Sequence, residues 1–369
     1  MALAYVPALA ASHDSITRKV RELPLPGTAL VKVGDIVTSE QSVLKAELPG
    51  ELLILRLAEQ LGYEPEDVEK ALLVKVGDKV NKGDLICSLT SFFELFKAEV
   101  KAPCSGVIEY YTALNAHLGI RLASSPLEVI AYIDGKVVEV EETKSVTIET
   151  RGCFVQGIFG VGAESSGNIK ILNVEKNKHV SKADLESLNI ENAVLVGGAK
   201  FRIDALNYCA EKHVKGVVCG SVDSETLSSY VGHEIGVSIT GDEQVPFPLI
   251  ITEGFGDLAI SSRVIEILTP LNGKKCSISG VTQVRAGATR PEIIVPNPST
   301  AEIKTSNNYL ELGARIRIIR VPNFGKFGEV TELPHDPQTI PSGAKVRVLK
   351  AKLDTGEEVI VPRANVELA

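Results

Sequence analysis

The side chains best placed for chemistry in this 369-residue chain follow a set of short apolar runs between positions 191 and 295. The runs end in Gly197-Gly198, Gly220-Ser221-Val222-Asp223, Thr240-Gly241-Asp242-Glu243 and Thr252-Glu253-Gly254-Phe255-Gly256. If the runs are parallel strands, these are the carboxyl ends at which ligands collect in such sheets. Ser221, Asp223, Asp242 and Glu253 then supply hydroxyl and carboxylate groups, and Arg285 or Arg290 from TQVRAGATRPE a guanidinium for an anion clamp. Upstream, GVGAESSG with Gly160 and Gly162 offers backbone N–H groups to a phosphate or carboxylate. It has neither a Gly-Lys-Ser/Thr triplet nor the dinucleotide spacing of glycines, so no nucleotide fingerprint is present. Each feature also has a purely structural reading. Tight strand-to-helix turns need glycine, helix starts favour Asp and Ser, and GVGAESSG suits a strand-connecting turn or bulge. His213 and His233 have no nucleophile or metal partner by spacing, so neither a triad nor a metal site is read.

The elements that must position these groups alternate in type. NAVLVGG and VKGVVCGS are continuous apolar runs, the mark of strands buried on both faces. Between them KFRIDALNYCAEKH has helical spacing with Phe201, Ile203, Leu206 and Ala210 as its apolar face. DSETLSSYVGHE reads as a second helix with Asp223 or Ser224 as N-cap. GVSIT, PLIITEGFG and the helical AISSRVIEILTPL continue the alternation, so residues 191–295 are predicted to form an α/β domain around a parallel sheet. Residues 146–190, ahead of it, read as a glycine-rich β segment.

The N-terminal third carries a repeat. VKVGD occurs at Val31–Asp35 and again at Val74–Asp78. Around the second copy, LLVKVGDKVNKGDLICSL and FKAEVKAPCSGVIEYY read as strands joined by turns at Gly77, Asp78, Asn81, Gly83, Asp84 and the Pro-Cys-Ser-Gly step. This pattern, over roughly Leu72 to Leu122, resembles the biotinyl/lipoyl family, the barrel-sandwich hybrid. Those sandwiches have two quasi-symmetric halves, each with a Gly-Asp turn, and PGTALVKVGDIV…LKAELPG looks like the other half. The resemblance implies a hybrid over 27–145 with a helical insertion at about 51–72, preceded by an extension at 1–26. Within the insertion Leu53, Ile54, Leu57 and Leu61 have helical spacing, and Pro65 to Leu72 reads as a second short helix. The family's acceptor lysine would fall nearest to Lys97, in LFKAEV. Its flanks are not those of a biotin or lipoate site, so no cofactor is predicted and covalent biotin or lipoate is the weaker alternative. Phe92, Phe93 and Phe96 beside it either pack within the chain or dock a partner.

After a Pro-, Ser-, Thr- and Asn-rich linker at 296–312, GARIRIIRVPNFGKFGEVTEL alternates apolar and basic residues as a half-buried strand does. Gly313, Ile316, Arg317, Ile318, Pro322, Gly325, Gly328 and Val330 resemble the KOW motif, the SH3-like barrel of transcription and ribosomal proteins. The resemblance extends over 313–369. It implies contact with RNA or an RNA-bound protein through Arg315, Arg317, Arg320, Phe324 and Lys326. The segment from 313 to 369 holds nine Lys/Arg against seven Asp/Glu, which argues for weak or no direct phosphate binding.

Composition narrows the classes. Net charge is -8, which speaks against a general nucleic-acid coat. Six cysteines are scattered without a CxxC pair, so they are read as buried free thiols in a reducing compartment. The opening MALAYVPALAASHDS lacks a basic n-region. No later apolar run reaches the roughly 18–20 residues of a membrane span. The expectation is a cytoplasmic protein without membrane insertion. Its fold class is read as multidomain α/β and all-β: split barrel-sandwich hybrid, central parallel α/β sheet and C-terminal SH3-like β-barrel. The module order resembles a bacterial multidomain family from which no activity follows. The leading functional expectation is a non-enzymatic adaptor or scaffold for a protein or ribonucleoprotein partner. The alternatives are a small-molecule or nucleotide-binding enzyme or sensor using the strand ends, and a carrier modified at Lys97. The oligomeric state is not written in the sequence.

Overall fold

Valine and isoleucine runs favour strands over helices, and the computed structural model is mainly β, 47% strand against 14% helix among the described residues. It describes residues 11–90, 97–233, 243–283, 289–297, 310–318, 320–323, 326–341 and 343–368. The α/β character is therefore confined to one stretch of a larger mixed sheet.

That sheet has eleven strands. Four are parallel neighbours: Glu164–Ile171, Ala193–Val196, Gly216–Val222 and Leu249–Phe255. Every residue of Ala193–Val196 and of Gly216–Val222 is buried, because both faces are covered. Leu195, Val217 and Cys219 pack with Ala205, Leu206 and Cys209 of helix Ile203–Glu211 and with Leu227 and Tyr230 of helix Ser224–Val231. Val194, Val196 and Val218 face the other way, onto Val264, Ile267 and Leu268 of helix Ser262–Leu268. The period-2 alternation of strand side chains thus divides one valine-rich run between two cores.

Beyond these four strands the sheet becomes antiparallel. Phe159–Val161 closes one edge against Leu249–Phe255. On the other side follow Lys275–Ser279, Glu292–Pro296, Ser145–Gln156 and Gly135–Glu141. Ser145–Gln156 pairs along its other edge with Ala11–Glu22. Residues 11–22, read from the sequence as part of an extension, are a strand of this sheet.

Strand Ser42–Leu48 pairs antiparallel with Ser125–Ile130, Leu48 opposite Ser125. Residues 49–124 leave and return between these two strands and have a core of their own, with Leu55, Leu57, Val68, Ile86, Ile108, Leu118 and Ile120. Val31, Val37, Leu44, Ile133, Val137 and Ile148 form a separate core outside it. The two VKVGD copies, read from the sequence as halves of one sandwich, therefore serve different cores. Within the insert, Leu53 and Ile54 belong to strand Leu52–Arg56 rather than to a helix, and the helix starts only at Leu57. Helix Pro65–Lys70 has the expected Pro65 and acidic residues in its first turn.

The repeated pentapeptide encodes one corner. An Asp35 carboxylate oxygen accepts from the Lys32 N–H at 2.8 Å, and Asp78 accepts from Lys75 at 2.7 Å. Gly34 and Gly77 follow at φ 101° and 96°, a conformation open to glycine at no steric cost. Their N–H groups donate to Val137 and Ile108, at 2.9 and 2.7 Å. Asn81–Asp84 makes the corner a third time, with Asp84 accepting from the Asn81 N–H at 2.7 Å. The side chain thus stabilises the same reversal wherever the x-x-Gly-Asp pattern recurs. Val33 and Val76, the residues before each repeat glycine, are 62% and 60% exposed.

At the C-terminus, Glu358–Pro362, Val348–Leu353, Phe327–Glu332, Arg315–Ile318 and Val366–Leu368 pair in that order as an antiparallel sheet. The sheet is strongly curled into a half-barrel around Ile316, Ile318, Val330, Leu349, Ala351 and Val361. Among the described residues no helix is long and apolar enough to cross a membrane. Cys87, Cys153, Cys209, Cys219 and Cys276 are buried. Burial pushes the thiols of Cys153, Cys209, Cys219 and Cys276 up to about 12, which leaves them protonated and poor nucleophiles.

Candidate functional site

The parallel strands do converge their carboxyl ends, but main chain fills the space between them. Ala199 N–H donates to the Lys178 carbonyl at 2.8 Å, Gly220 N–H to Gly198 at 3.2 Å, and Gly256 N–H to Val222 at 3.0 Å. A Cβ on Gly220 would sit 2.3 Å from the Leu258 carbonyl oxygen. This glycine therefore admits the 258–260 loop across the strand rather than a ligand. Ser221 is fully buried. Its hydroxyl donates to the Ala199 carbonyl at 3.2 Å and accepts from the Leu258 N–H at 3.0 Å. Gly197 and Gly198, both at positive φ, turn the chain against Leu172 and Val174 and against Lys178 and Val180, respectively. These three sequence candidates are structural.

Asp223 is the N-cap of helix Ser224–Val231, accepting from Thr226 N–H at 2.8 Å, with the Lys200 ammonium at 3.3 Å. Burial pushes its pKa up, but the Thr226 bonds and Lys200 outweigh that and hold the carboxyl below the usual carboxylate range. The cap is accordingly complete above about pH 4 and is lost as the pH falls through the lowered pKa. Replacing Asp223 by Ala is expected to cost about 1 kcal/mol, while Asn, which also caps, costs only a few tenths. Urea denaturation of the two variants checks this; equal losses would show that the carboxylate charge, not the cap, is what counts.

Gly160 has its N–H engaged within the chain and does not present it to an anion. Gly160 lies in strand Phe159–Val161, where its N–H donates to the Thr282 hydroxyl at 2.8 Å and its carbonyl accepts from the same hydroxyl at 2.9 Å. Gly162, at φ 96°, turns the chain against Phe247 and Pro248. The N–H of Gly160 is thus already satisfied. Arg290 is exposed, two residues ahead of the start of strand Glu292–Pro296. Asp242 and Arg285 lie outside the described residues.

Glu253 is different. It is 7% exposed at the end of Leu249–Phe255, and its carboxylate pairs with the guanidinium of Arg317 on the C-terminal half-barrel. A ligand candidate and a partner candidate thus meet each other. A buried carboxylate needs such a counter-charge, because removal from water is costly and only a close ion pair offsets it.

Of the remaining cations expected on the outer face of the half-barrel, Arg315 and Lys326 are also engaged. Arg315 makes a two-pronged pair with Asp354 at 2.7 and 2.6 Å, whose hydrogen bonds raise the guanidinium pKa further. Lys326 lies 2.8 Å from the Asn323 side-chain oxygen and 3.6 Å from Glu357, and Lys350 pairs with Glu332 at 2.6 Å. Cross-strand register sets Arg315 opposite Glu329, Glu329 opposite Lys352, and Lys352 opposite Glu358. Adjacent strands thus alternate in sign. Arg320 is exposed. Phe92, Phe93, Phe96 and Phe324 lie outside the described residues. Lys97 opens strand Lys97–Lys101 opposite Thr90, and its side chain is likewise outside them. No three His, Cys, Asp or Glu side chains gather to hold a metal among the described residues.

Sequence reasoning missed a second polar cluster, between the N-terminal strands and the central sheet. Tyr132, 2% exposed, has φ 69°. Its hydroxyl donates to Glu292 at 3.2 Å, and Glu292 pairs with Lys19. Arg21 lies over the tyrosine ring, 5.5 Å from its centre, and grips Glu164 through two bonds of 2.7 Å. Burial, then the Glu292 and Glu164 charges, hold the phenol protonated far above its ordinary range. Only a polar residue between Ala131 and Ile133 hinted at this in the sequence. Its partners come from strands separated along the chain by more than any local motif spans.

No protein-family model matches the chain, and no curated protein matches it significantly.

Proposed function

We propose that the protein is a cytoplasmic, non-enzymatic adaptor that binds a protein partner through the outer face of its C-terminal half-barrel. We read that half-barrel as the SH3-like KOW module and residues 49–124 as a barrel-sandwich module. The observation that carries the function is the alternation of Arg315, Glu329, Lys352 and Glu358 across neighbouring strands. A face that cancels its own charge has little to offer a polyphosphate, whose affinity rests on unpaired cations. It suits a protein surface of complementary alternating charge. Phe327 and Ile360 are exposed on strands of the same sheet, and their apolar area supports this reading. Val33 and Val76 on the repeated corners offer two further small apolar contacts.

Cross-linking in a lysate of the native host, followed by mass spectrometry, tests the reading. Peptides of one protein linked to 313–369 are expected to survive nuclease treatment and to fall about tenfold on Phe327→Glu, the loss of about 1.4 kcal/mol of binding. Recovery instead of a nucleic acid whose binding drops steeply with salt would overturn it.

A further inference from the structure

Beside Tyr132, a cavity of about 250 Å³ brings together Ser39, Glu40, Tyr132, Glu164, Ser165 and Lys215. We propose that this cavity binds a small zwitterion of the α-amino acid class, its carboxylate on Lys215 and its ammonium on Glu40. The site is independent of the partner-binding face.

Ser39 supplies the first observation. It is 2% exposed, and its hydroxyl has no hydrogen-bond partner among the described residues. An unmade bond at a buried hydroxyl is unfavourable. The residue is otherwise fixed: its N–H donates to Asp134 at 2.6 Å, and its carbonyl accepts from Tyr132 N–H at 2.8 Å. The residue lines the cavity, and its hydroxyl keeps its donor and acceptor capacity unused among the described residues.

Tyr132 supplies the second. Its left-handed backbone is unfavourable for a residue with a Cβ and persists only when surroundings over-determine it, as ligand sites commonly do. Here the Ser277 hydroxyl donates to its carbonyl at 2.5 Å, while Glu292 and Arg21 hold the ring. The strained residue and the unsatisfied one are joined directly.

Charge selects the ligand. Arg21 occupies both oxygens of Glu164. Lys19 pairs with Glu292, and Lys275 with Asp134 at 3.4 Å. Glu40 accepts from the Ser166 hydroxyl at 3.0 Å and lies 3.8 Å from Lys275, both through the same oxygen. Its other oxygen makes no hydrogen bond or ion pair among the described residues. Lys215 makes no ion pair among the described residues, and it also lines a neighbouring cavity of about 290 Å³, which gives its chain room to turn. One cation and one half-used carboxylate therefore border the same space, while the surrounding charges cancel in pairs. A ligand carrying both signs satisfies both groups; an ion of one sign leaves one of them unanswered. Ile130, 39% exposed, gives an aliphatic side chain its apolar wall.

The test presents each common amino acid in turn, at millimolar concentration, to the full chain by thermal melting and calorimetry. Native-state binding raises the melting temperature by mass action. At least one amino acid is expected to do so, and its decarboxylated amine and deaminated acid are each expected to bind about tenfold or more weaker. Lys215→Gln, on a half-buried side chain, is expected to leave the unliganded melt unchanged and to weaken binding by about tenfold or more; Ser39→Ala is expected to weaken it several-fold. No binding by any amino acid, equal binding by the acid alone, or unchanged affinity in Lys215→Gln would each overturn the assignment.

Discussion

Arg317→Leu is expected to destabilise the protein by about 3–5 kcal/mol, the cost of leaving a buried carboxylate without its counter-charge. Glu253 sits at a strand end packed into the sheet, and it has no flexible arm with which to reach water. Arg317 does have one, so Glu253→Leu is expected to cost less, the guanidinium swinging out to solvent along its aliphatic stem. Replacing both by leucine is expected to recover most of the loss, since a buried ion pair and a packed apolar pair are close in free energy. If docking of the half-barrel is worth less than the penalty, the single variant will undock, and small-angle scattering will record a larger radius. Denaturant unfolding and scattering of the two single variants and the double variant measure both effects. An Arg317→Leu protein as stable and as compact as the parent would show that the pair does not join the two parts in solution.

Phe201→Ala is expected to cost about 3–5 kcal/mol, the range for truncating a fully buried aromatic ring. Phe201 is 2% exposed and packs with Val180, Leu206 and Val222 beneath the strand ends. Ile203→Ala is the control. At 36% exposed, Ile203 is expected to lose about 1 kcal/mol or less. A pair of denaturant melts decides between this placement and the helical face that the spacing of Phe201, Ile203, Leu206 and Ala210 suggested. Equal losses would favour that face.

That contrast marks what the sequence could and could not disclose. Helical periodicity located helix Ile203–Glu211 correctly, but its first apolar beat belongs to strand Lys200–Phe201, paired with His179–Val180. A single residue in a two-residue strand leaves no period to detect. The parallel strands were legible because burial on both faces writes an uninterrupted apolar run. The long-range antiparallel pairings of the same sheet were not: Ala11–Glu22 pairs with Ser145–Gln156, and Ser145–Gln156 with Glu292–Pro296, registers that no local pattern encodes. The same holds at the candidate site. The glycines and Ser221 were visible as turn and cap chemistry, and their use for main-chain packing followed only once the 258–260 loop was in place. Glu253 and Arg317 were each noticed for charge, but their meeting depends on how two modules dock. Tyr132 was hidden because its backbone angle and its partners are properties of the assembled fold.

The placement of residues 49–124 has a kinetic consequence. Leu48 and Ser125 face each other across a ladder, so on sequence separation alone the strands they end should be among the slowest contacts to form. Closing a long flexible loop costs entropy before any contact is gained. The insert, however, has its own core, and once it has collapsed its two ends are neighbours. What was a distant pairing then becomes, in effect, a hairpin with a folded body for its loop. The expected order of events follows: the inserted unit condenses first and serves as the clasp on which Ser42–Leu48 and Ser125–Ile130 zip together.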